Sequence, residues 1–396
     1  MPVSDRTGQL PRLVVIGDDV RPGEVPWAAL ANQRPLEQSP RRTADDDCLV
    51  VYTSGTTGDP KGVRHTTTTL LAEVETVAAA SEWGLGGPEP VVHLAAFPAG
   101  HMAGVSGLLR TMLLGISTVV MDRWDAALAA ELIERHRVTA TSGAPFFLAS
   151  LLDAAERDGR DLTSLGSYLV GAGSVPRSLV ERADAAGIPV FRSYGATEHP
   201  TVTLGRPSDT LAQRAGTDGV PTPGTEVRIV DDAGRDVGPG VDGEVLTRGP
   251  ERFVGYTDPS LDAEVLLNGG WYRTGDIGRL DTSGRLTITD RLKDLIVRGG
   301  ENIASKEVED VLTTHPDVVE VAAVGRPDER YGERVAVFVR LRPGARLDVD
   351  DVATHFATAG IARQKTPEHV VAVDELPRTA SGKVRKDLLR ARLRAV

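Results

Sequence analysis

Through the first two hundred residues the chain alternates short apolar runs with stretches in which apolar residues recur at helical spacing. Residues 13–16 read as a strand, and the Pro- and Asp-rich residues 17–46 as a connection. Residues 48–52 predict another strand. Residues 66–82 put Leu70, Leu71, Val74 and Val77 on one helical face. Strands are then expected at 91–95, 117–121, 138–142, 168–171 and 190–194, separated by helices near 103–114, 125–136, 145–157 and 176–186. Alternation of this kind builds parallel sheets with helices on their faces, and ligands collect outside the carboxyl ends of the strands.

From about 217 the period shortens to two. Residues 226–230, 243–248, 278–280 and 285–289 alternate apolar and polar side chains between Gly- and Asp-rich turns, which predicts an antiparallel, barrel-like segment. A third texture starts near 291: helix 305–314, strands 318–325 and 333–340, helix 348–358, strand 369–373, helix 384–393. The expected fold is α/β. A large N-terminal domain, residues 1–290, combines parallel sheets and helices with the barrel-like segment at about 217–290. A small mobile α+β domain, residues 291–396, follows the joint Asp290-Arg291-Leu292-Lys293. A length of 396 residues also exceeds what one hydrophobic core usually serves.

Composition narrows the function. A net charge of −11 argues against a general nucleic-acid binder, and any phosphate site must assemble its own positive field. One cysteine, Cys48, fits a reducing cytoplasm, and no run of eighteen uncharged apolar residues suggests a membrane span. Arginine is the default cation: of 45 Lys+Arg, only Lys61, Lys293, Lys306, Lys365, Lys383 and Lys386 are lysines. Lysines in Gly/Ser/Thr-rich settings therefore stand out, Lys61 and Lys383 above all.

The chemistry lies in a few ordered motifs. Tyr52-Thr53-Ser54-Gly55-Thr56-Thr57-Gly58-Asp59-Pro60-Lys61-Gly62 combines hydroxyls, glycines and a lysine, donors that curl around an anion. Its spacing differs from G-x-x-x-x-G-K-[ST], because Pro60 stands where that pattern needs Gly. Ser193-Tyr194-Gly195-Ala196-Thr197-Glu198 offers a flat aromatic face, a hydroxyl and one hard carboxylate suited to Mg²⁺. Asp276, in Thr274-Gly275-Asp276, can accept two hydrogen bonds, as a ribose diol would donate, and Arg291 follows some fifteen positions on. Arg298-Gly299-Gly300-Glu301-Asn302 lets backbone approach closely, with a plain hairpin turn as the competing reading. Near the end, Lys383 stands just past Ser381-Gly382.

Taken in order from 52 to 383, these motifs resemble those of the adenylate-forming, AMP-binding enzymes: acyl-CoA synthetases, peptide-synthetase adenylation domains and luciferases. The resemblance implies that Thr53, Ser54, Gly55, Thr56, Thr57, Gly58 and Lys61 hold phosphate. It implies that Gly171, Ala172, Gly173, Ser193, Tyr194, Gly195, Asp276 and Arg291 hold the nucleotide, and that Thr197 and Glu198 serve catalysis, Glu198 as the Mg²⁺ ligand. Lys293 would be the hinge, Gly299 and Gly300 the approach to CoA, and Lys383 the catalytic lysine. Lys386, with its neighbouring arginines, is expected on a solvated helical face. The acyl pocket is expected from Phe97, His101, Met102, Phe146 and His199.

The implied activity is ATP- and Mg²⁺-dependent ligation of a hydrophobic carboxylic acid to CoA. The alternatives are loading of a carrier-protein thiol, activation of another oxyanion such as nitrite, or a non-catalytic short paralogue. Family members carry a far longer stretch before the phosphate loop than the 51 residues here. Such a chain is expected either to close differently as a natural short form, to leave an exposed sheet edge completed by a partner, a homodimer being the simplest, or to be a degenerate paralogue.

Overall fold

The computed structural model describes residues 14–15, 21–22, 25–32, 41–53, 60–80, 90–379 and 382–394. Residues 1–43 and 44–396 form two units. In the first, Val14–Val15 pairs in parallel with Val25–Pro26 ahead of the short helix Trp27–Ala31. Everything below concerns the second.

Its central sheet has seven strands in the order Val220–Pro221, Thr203–Leu204, Val190–Tyr194, Ser167–Val170, Ala140–Gly143, Val92–Ala95, Ser117–Val120. The last five are parallel. The helices Ala126–His136, Pro145–Asp158 and Arg177–Ala185 lie close to their expected positions. Ile133, Leu148, Leu151 and Val180 from them pack on Leu94, Tyr168 and Val190 of the strands, all fully buried. Chain order reverses at Val92–Ala95: Ser117–Val120 lies on one side of it and Ala140–Gly143 on the other. Such a reversal opens a crevice at the carboxyl ends of the strands. The residues that leave those ends are 96–101, 144–147, 171–173 and 195–198.

The strand that precedes residue 54 is not part of this sheet. Asp47–Thr53 pairs antiparallel with Lys61–Thr66, with Thr53 opposite Lys61, and Gly255–Tyr256 joins on the other side. These paired strands flank residues 54–59, which lie outside the described residues. A second antiparallel sheet follows the order Glu226–Val230, Gly243–Arg248, Tyr272–Leu280, Leu286–Arg291. The third strand starts earlier than its alternation suggests and carries Thr274, Gly275 and Asp276 within it.

The last hundred residues have their own sheet, in the order Glu301–Ile303, Ile296–Arg298, Gly332–Leu341, Val318–Asp328, with His369–Ala372 parallel to Gly332–Leu341. Alternation along Gly332–Leu341 sends Val335, Val337 and Val339 to one face, against helices Ser305–Leu312 and Val349–Thr358. Ala336 and Phe338 point to the other face, against Leu376 and Leu389, the latter in helix Lys386–Arg394. The sheet is thus sealed on both sides. Gly299 and Gly300, at φ +62° and +87°, form the two-residue tip of the hairpin Ile296–Arg298/Glu301–Ile303. Left-handed backbone at both central positions is what such a turn demands, and glycine supplies it without strain.

Lys386 departs from its expected place. Its ammonium lies 2.7 Å from both Glu309 Oε1 and Ser305 Oγ, with only 17% of the side chain exposed. Burial pulls its pKa down, and Glu309, Asp294 and Asp290 outweigh that and hold it above the usual lysine value. Asp290 accepts hydrogen bonds from the Ser305 amide and hydroxyl, and so caps helix Ser305–Leu312 from the end of strand Leu286–Arg291. Sequence spacing alone cannot show this, because the acids that draw Lys386 inward lie more than seventy residues away. Lys386→Ala should lower unfolding free energy in urea by about 3–5 kcal/mol, the cost of stranding a buried carboxylate. The exposed Arg392→Ala should shift it by less than about 0.5 kcal/mol.

Candidate active site

Strand Val190–Tyr194 runs into Gly195, where a Cβ would collide with the Pro200 carbonyl oxygen. Only glycine permits the reverse turn that follows, closed by Ala196 N–H to His199 O (2.9 Å) and His199 N–H to Ala196 O (3.2 Å). That turn presents Thr197 and Glu198. Two buried histidines brace it. His65 Nε2 lies 2.8 Å from Thr197 O, and its Nδ1 lies 3.1 Å from Thr69 Oγ1. His199 Nδ1 lies 2.8 Å from Thr247 Oγ1, and its Nε2 lies 3.4 Å from Glu251 Oε1, both side chains being fully buried.

Glu198 is 9% exposed and accepts a 2.9 Å bond from Tyr256 Oη. Burial and that carboxylate push the Tyr256 phenol upward. Lys61 Nζ sits 5.2 Å from the centre of the same ring, so the hairpin's lysine and Glu198 share Tyr256 as a common wall. Thr53 Oγ1 contacts Lys61 O at 3.4 Å across the loop's base. Ser54, Gly55, Thr56, Thr57 and Gly58 lie outside the described residues, as does Ser381.

Asp276, 3% exposed, joins two other elements. Tyr194 Oη donates to its Oδ2 at 2.7 Å, and Arg291 Nε lies 2.9 Å from its Oδ1. Asp276 and Arg291 face each other across neighbouring antiparallel strands, which explains their spacing in the chain. Gly171 approaches Ser193, since a Cβ there would lie 3.0 Å from Ser193 Oγ. Ala172 follows at φ +63°, a left-handed conformation rare for residues with a Cβ, and Gly173 completes the turn beside Pro145.

Lys383 reaches into this group. Burial, then repulsion from Arg291, lowers its pKa to about 8 against the pull of Asp276 and Glu198. Lys293 adds to the repulsion, and burial likewise lowers the pKa of Lys293 itself. Lys61, Lys293, Arg291 and Lys383 thus gather around two carboxylates, a local field of opposite sign to the chain's net charge. Such a field suits phosphate oxygens.

The residues expected to form an apolar pocket do not all come together. Phe97 stacks on His101 with ring centres 5.3 Å apart, and both leave the end of strand Val92–Ala95. His101 also caps helix Met102–Leu114, accepting from Ala103 N–H at 3.2 Å. Burial, with Lys383 nearby, pulls its pKa down to about 4, so the ring is neutral near pH 7. Phe146, 37% exposed, lies under the Arg378 guanidinium.

Two expected pocket residues turn away. Met102 is buried with Val51 and Leu70, because it opens the helix on its inner face. His199 is drawn to Thr247 and Glu251 beneath the antiparallel sheet. Gly299 and Gly300 are not gathered with the charged cluster, and the neighbour of Gly299 is Tyr331, on which Arg298 stacks at 4.4 Å. Sequence reasoning missed Tyr256 and His65, which sit in short polar strands without a repeating pattern.

Comparison with known proteins places these features in context. The AMP-binding enzyme profile matches residues 3–257, and the AMP-binding enzyme C-terminal domain profile matches residues 307–383. The medium-chain fatty-acid–CoA ligase of Escherichia coli (strain K12) is 36% identical over 399 residues, covering 98% of this chain and 69% of that protein. The indoleacetate–CoA ligase of Aromatoleum aromaticum is 38% identical over 351 residues, covering 86% and 66%. Among solved structures, the amide bond synthetase McbA from Marinactinospora thermotolerans superposes with a TM-score of 0.83 at 32% identity, covering 96% of this chain and 75% of that one. The o-succinylbenzoate CoA synthetase MenE from Bacillus subtilis, in complex with its acyl-adenylate intermediate, gives 0.78 at 33%, covering 88% and 70%. The chain therefore spans about two thirds to three quarters of the length of these relatives.

The depressed pKa of Lys383 can be checked without any substrate. Competitive amine acylation read by mass spectrometry across pH should titrate Lys383 with a midpoint near 8. A midpoint at the ordinary lysine value of about 10.4 would remove it from the buried cluster.

Proposed function

Since the chain belongs to the AMP-binding enzyme family, we propose that it activates a hydrophobic carboxylic acid with ATP and passes the acyl group to CoA. The observation that carries this reading is the convergence of Lys383 on Glu198 and the Asp276–Arg291 pair, from well-separated parts of the sequence. The acid's carboxylate attacks the α-phosphorus of ATP, and the bond from that phosphorus to the bridging oxygen of pyrophosphate breaks. Acyl-adenylate and pyrophosphate result. Positioning and charge neutralisation are most of what such a step requires of a protein.

Asp276 would accept the ribose hydroxyls with Arg291 beside it, and Tyr194 would offer its ring to the adenine. Thr53, Lys61 and the loop between them would hold the phosphates, with Gly171 to Gly173 and Ser193 to Gly195 forming the nucleotide's floor. Lys383 would meet the charge that builds on the α-phosphate. Phe97 and His101 would line the acyl side, a neutral imidazole on an apolar wall favouring an uncharged acyl chain. The donor set suits Mg²⁺. Glu198 is a single carboxylate with Thr197 beside it, and the described residues contain no cluster of three or more metal-binding side chains that would cage an ion. Bound there, the ion would neutralise charge on the phosphates.

For the second half-reaction the thiol of CoA attacks the acyl carbon and AMP leaves. The part from about residue 291 onward would turn about Lys293, withdrawing Lys383 and bringing Gly299 and Gly300 to the tunnel. The similarity to an amide bond synthetase favours a second reading, with an amine as acceptor of the same adenylate. A second copy of the chain is a further proposed partner. Met112, Leu113 and Val120 are exposed beside the edge strand Ser117–Val120, which supports it. No helix among the described residues is long and apolar enough to cross a membrane, and we assign the chain to the cytoplasm on its single cysteine.

An ATP–pyrophosphate exchange panel across straight-chain, alicyclic and aromatic acids, with CoA and amine arms, tests the reading. Lys383→Ala should slow exchange by about 10²–10³-fold, the usual effect of losing one preorganised charge donor. It should still convert supplied acyl-adenylate and CoA to thioester at close to the parent rate. Glu198→Gln should fold normally and lose Mg²⁺-dependent exchange. Intact exchange in Lys383→Ala, or equal loss of both half-reactions, would overturn the assignment.

A further inference from the structure

Backbone hydrogen bonds among the described residues hold the chain on either side of Lys383. Thr379 N–H donates to Lys383 O at 2.8 Å, Gly382 N–H to Thr379 O at 2.9 Å, and Arg385 N–H to Pro377 O at 2.7 Å. Gly382 turns through φ +85°. Arg378 spans this loop with three contacts in different directions. Its Nη1 donates to Gly382 O at 2.7 Å, one residue before the lysine. Its Nη2 donates to Glu320 Oε1 at 2.6 Å, and the other oxygen of Glu320 accepts from Arg340 at 2.9 Å. Its guanidinium carbon lies 4.9 Å from the centre of the Phe146 ring. Beside this stack Gly382 meets the start of the same helix so closely that a Cβ would lie 3.3 Å from Ala144 Cβ.

We propose that Arg378 is a positioning residue for acyl-adenylate formation, fixing the backbone from which Lys383 reaches inward and docking that loop on Phe146. The inference rests on the assignment of Lys383 to adenylation. Glu320, Gly382 and Lys383 belong to the C-terminal part, while Phe146 opens helix Pro145–Asp158 at the end of a central strand. Two of the three Arg378 contacts therefore travel with Lys383, and the third is a stack between an arginine and an exposed aromatic ring that can be made and broken. Arg378 would act while Lys383 is in the site and be idle once the C-terminal part has turned away. Phe146 is then a docking platform for the lysine loop more than a wall of the acyl pocket.

The full-length chain is assayed for ATP–pyrophosphate exchange with octanoate, or with the best acid of the panel where that is faster. Conversion of the matching acyl-adenylate plus CoA is measured in parallel. Arg378→Gln should lower the exchange kcat by about 10–100-fold, in line with a reacting group displaced by a fraction of an ångström to an ångström. Its KM for ATP and its rate with supplied adenylate should stay within about twofold. Arg378→Lys, which keeps the charge but not the fork, should fall between parent and Arg378→Gln. Phe146→Leu should lose about three- to tenfold in exchange alone, and the double variant should be no slower than Arg378→Gln.

Equal loss in both half-reactions, unchanged exchange, or multiplying losses in the double variant would overturn the proposal. So would a fall of more than about 10 °C in thermal unfolding midpoint in all three single variants, which would make Arg378 a purely structural brace. Lys383→Ala run alongside separates the two levels. If it loses exchange while Arg378→Gln does not, only the role of Arg378 falls. If it keeps exchange, the reading of Lys383 falls and takes this one with it.

Discussion

The carboxylate of Asp276 is where the architecture closes. One oxygen takes the hydroxyl of Tyr194 from the parallel sheet, and the other takes the guanidinium of Arg291 from the strand that leads into the C-terminal part. The residue itself belongs to the antiparallel sheet. Two separately built sheets, and through Arg291 the entry to the C-terminal part, are thus registered against one buried charge. Removing that charge would leave Tyr194 without its acceptor and hand the half-exposed Arg291 guanidinium to solvent, and a polar group left unpaired away from water costs more than the net value of the bond it makes.

The same economy governs the lysines. A chain of net charge −11 has to concentrate cations where anions must bind. It does so by folding positions 61, 291, 293 and 383 into one neighbourhood. Burial, with repulsion from Arg291 and Lys293, lowers the pKa of Lys383 to about 8 and leaves it poised close to neutrality. Lys386, three residues on, meets acids instead of other cations and moves the opposite way. Two lysines in one segment thus acquire different characters from their tertiary surroundings alone.

Those surroundings also mark the limit of what the sequence could disclose. Strand Val190–Tyr194, helix Met102–Leu114 and the alternation of Gly332–Leu341 are local patterns and were legible as such. So was the order of motifs that resembles the AMP-binding enzymes, the family to which the chain belongs. Strand Lys61–Thr66 was not. Its buried residues include His65 and Thr66, which earn their place through bonds to Thr69 and Thr197 and not through apolar character. His199 and Met102 looked like pocket residues because they adjoin pocket motifs. A turn and a helix start direct them elsewhere, and that direction depends on partners such as Glu251 and Val51 that no local pattern announces. Arg378 is of the same kind, since its meaning lies in Glu320 and Phe146.

The double-sided packing of strand Gly332–Leu341 has a thermodynamic corollary. With Val335, Val337 and Val339 covered on one face and Ala336 and Phe338 on the other, the C-terminal sheet carries its apolar surface with it. The turn proposed for this part would exchange polar contacts such as the Asp290–Ser305 cap and uncover little of that hydrocarbon. Heat-capacity changes track exposed apolar area. The balance between orientations should therefore be nearly flat in heat capacity, with a van 't Hoff plot close to linear. Warming would tilt that balance at a constant slope, without the curvature that accompanies unfolding.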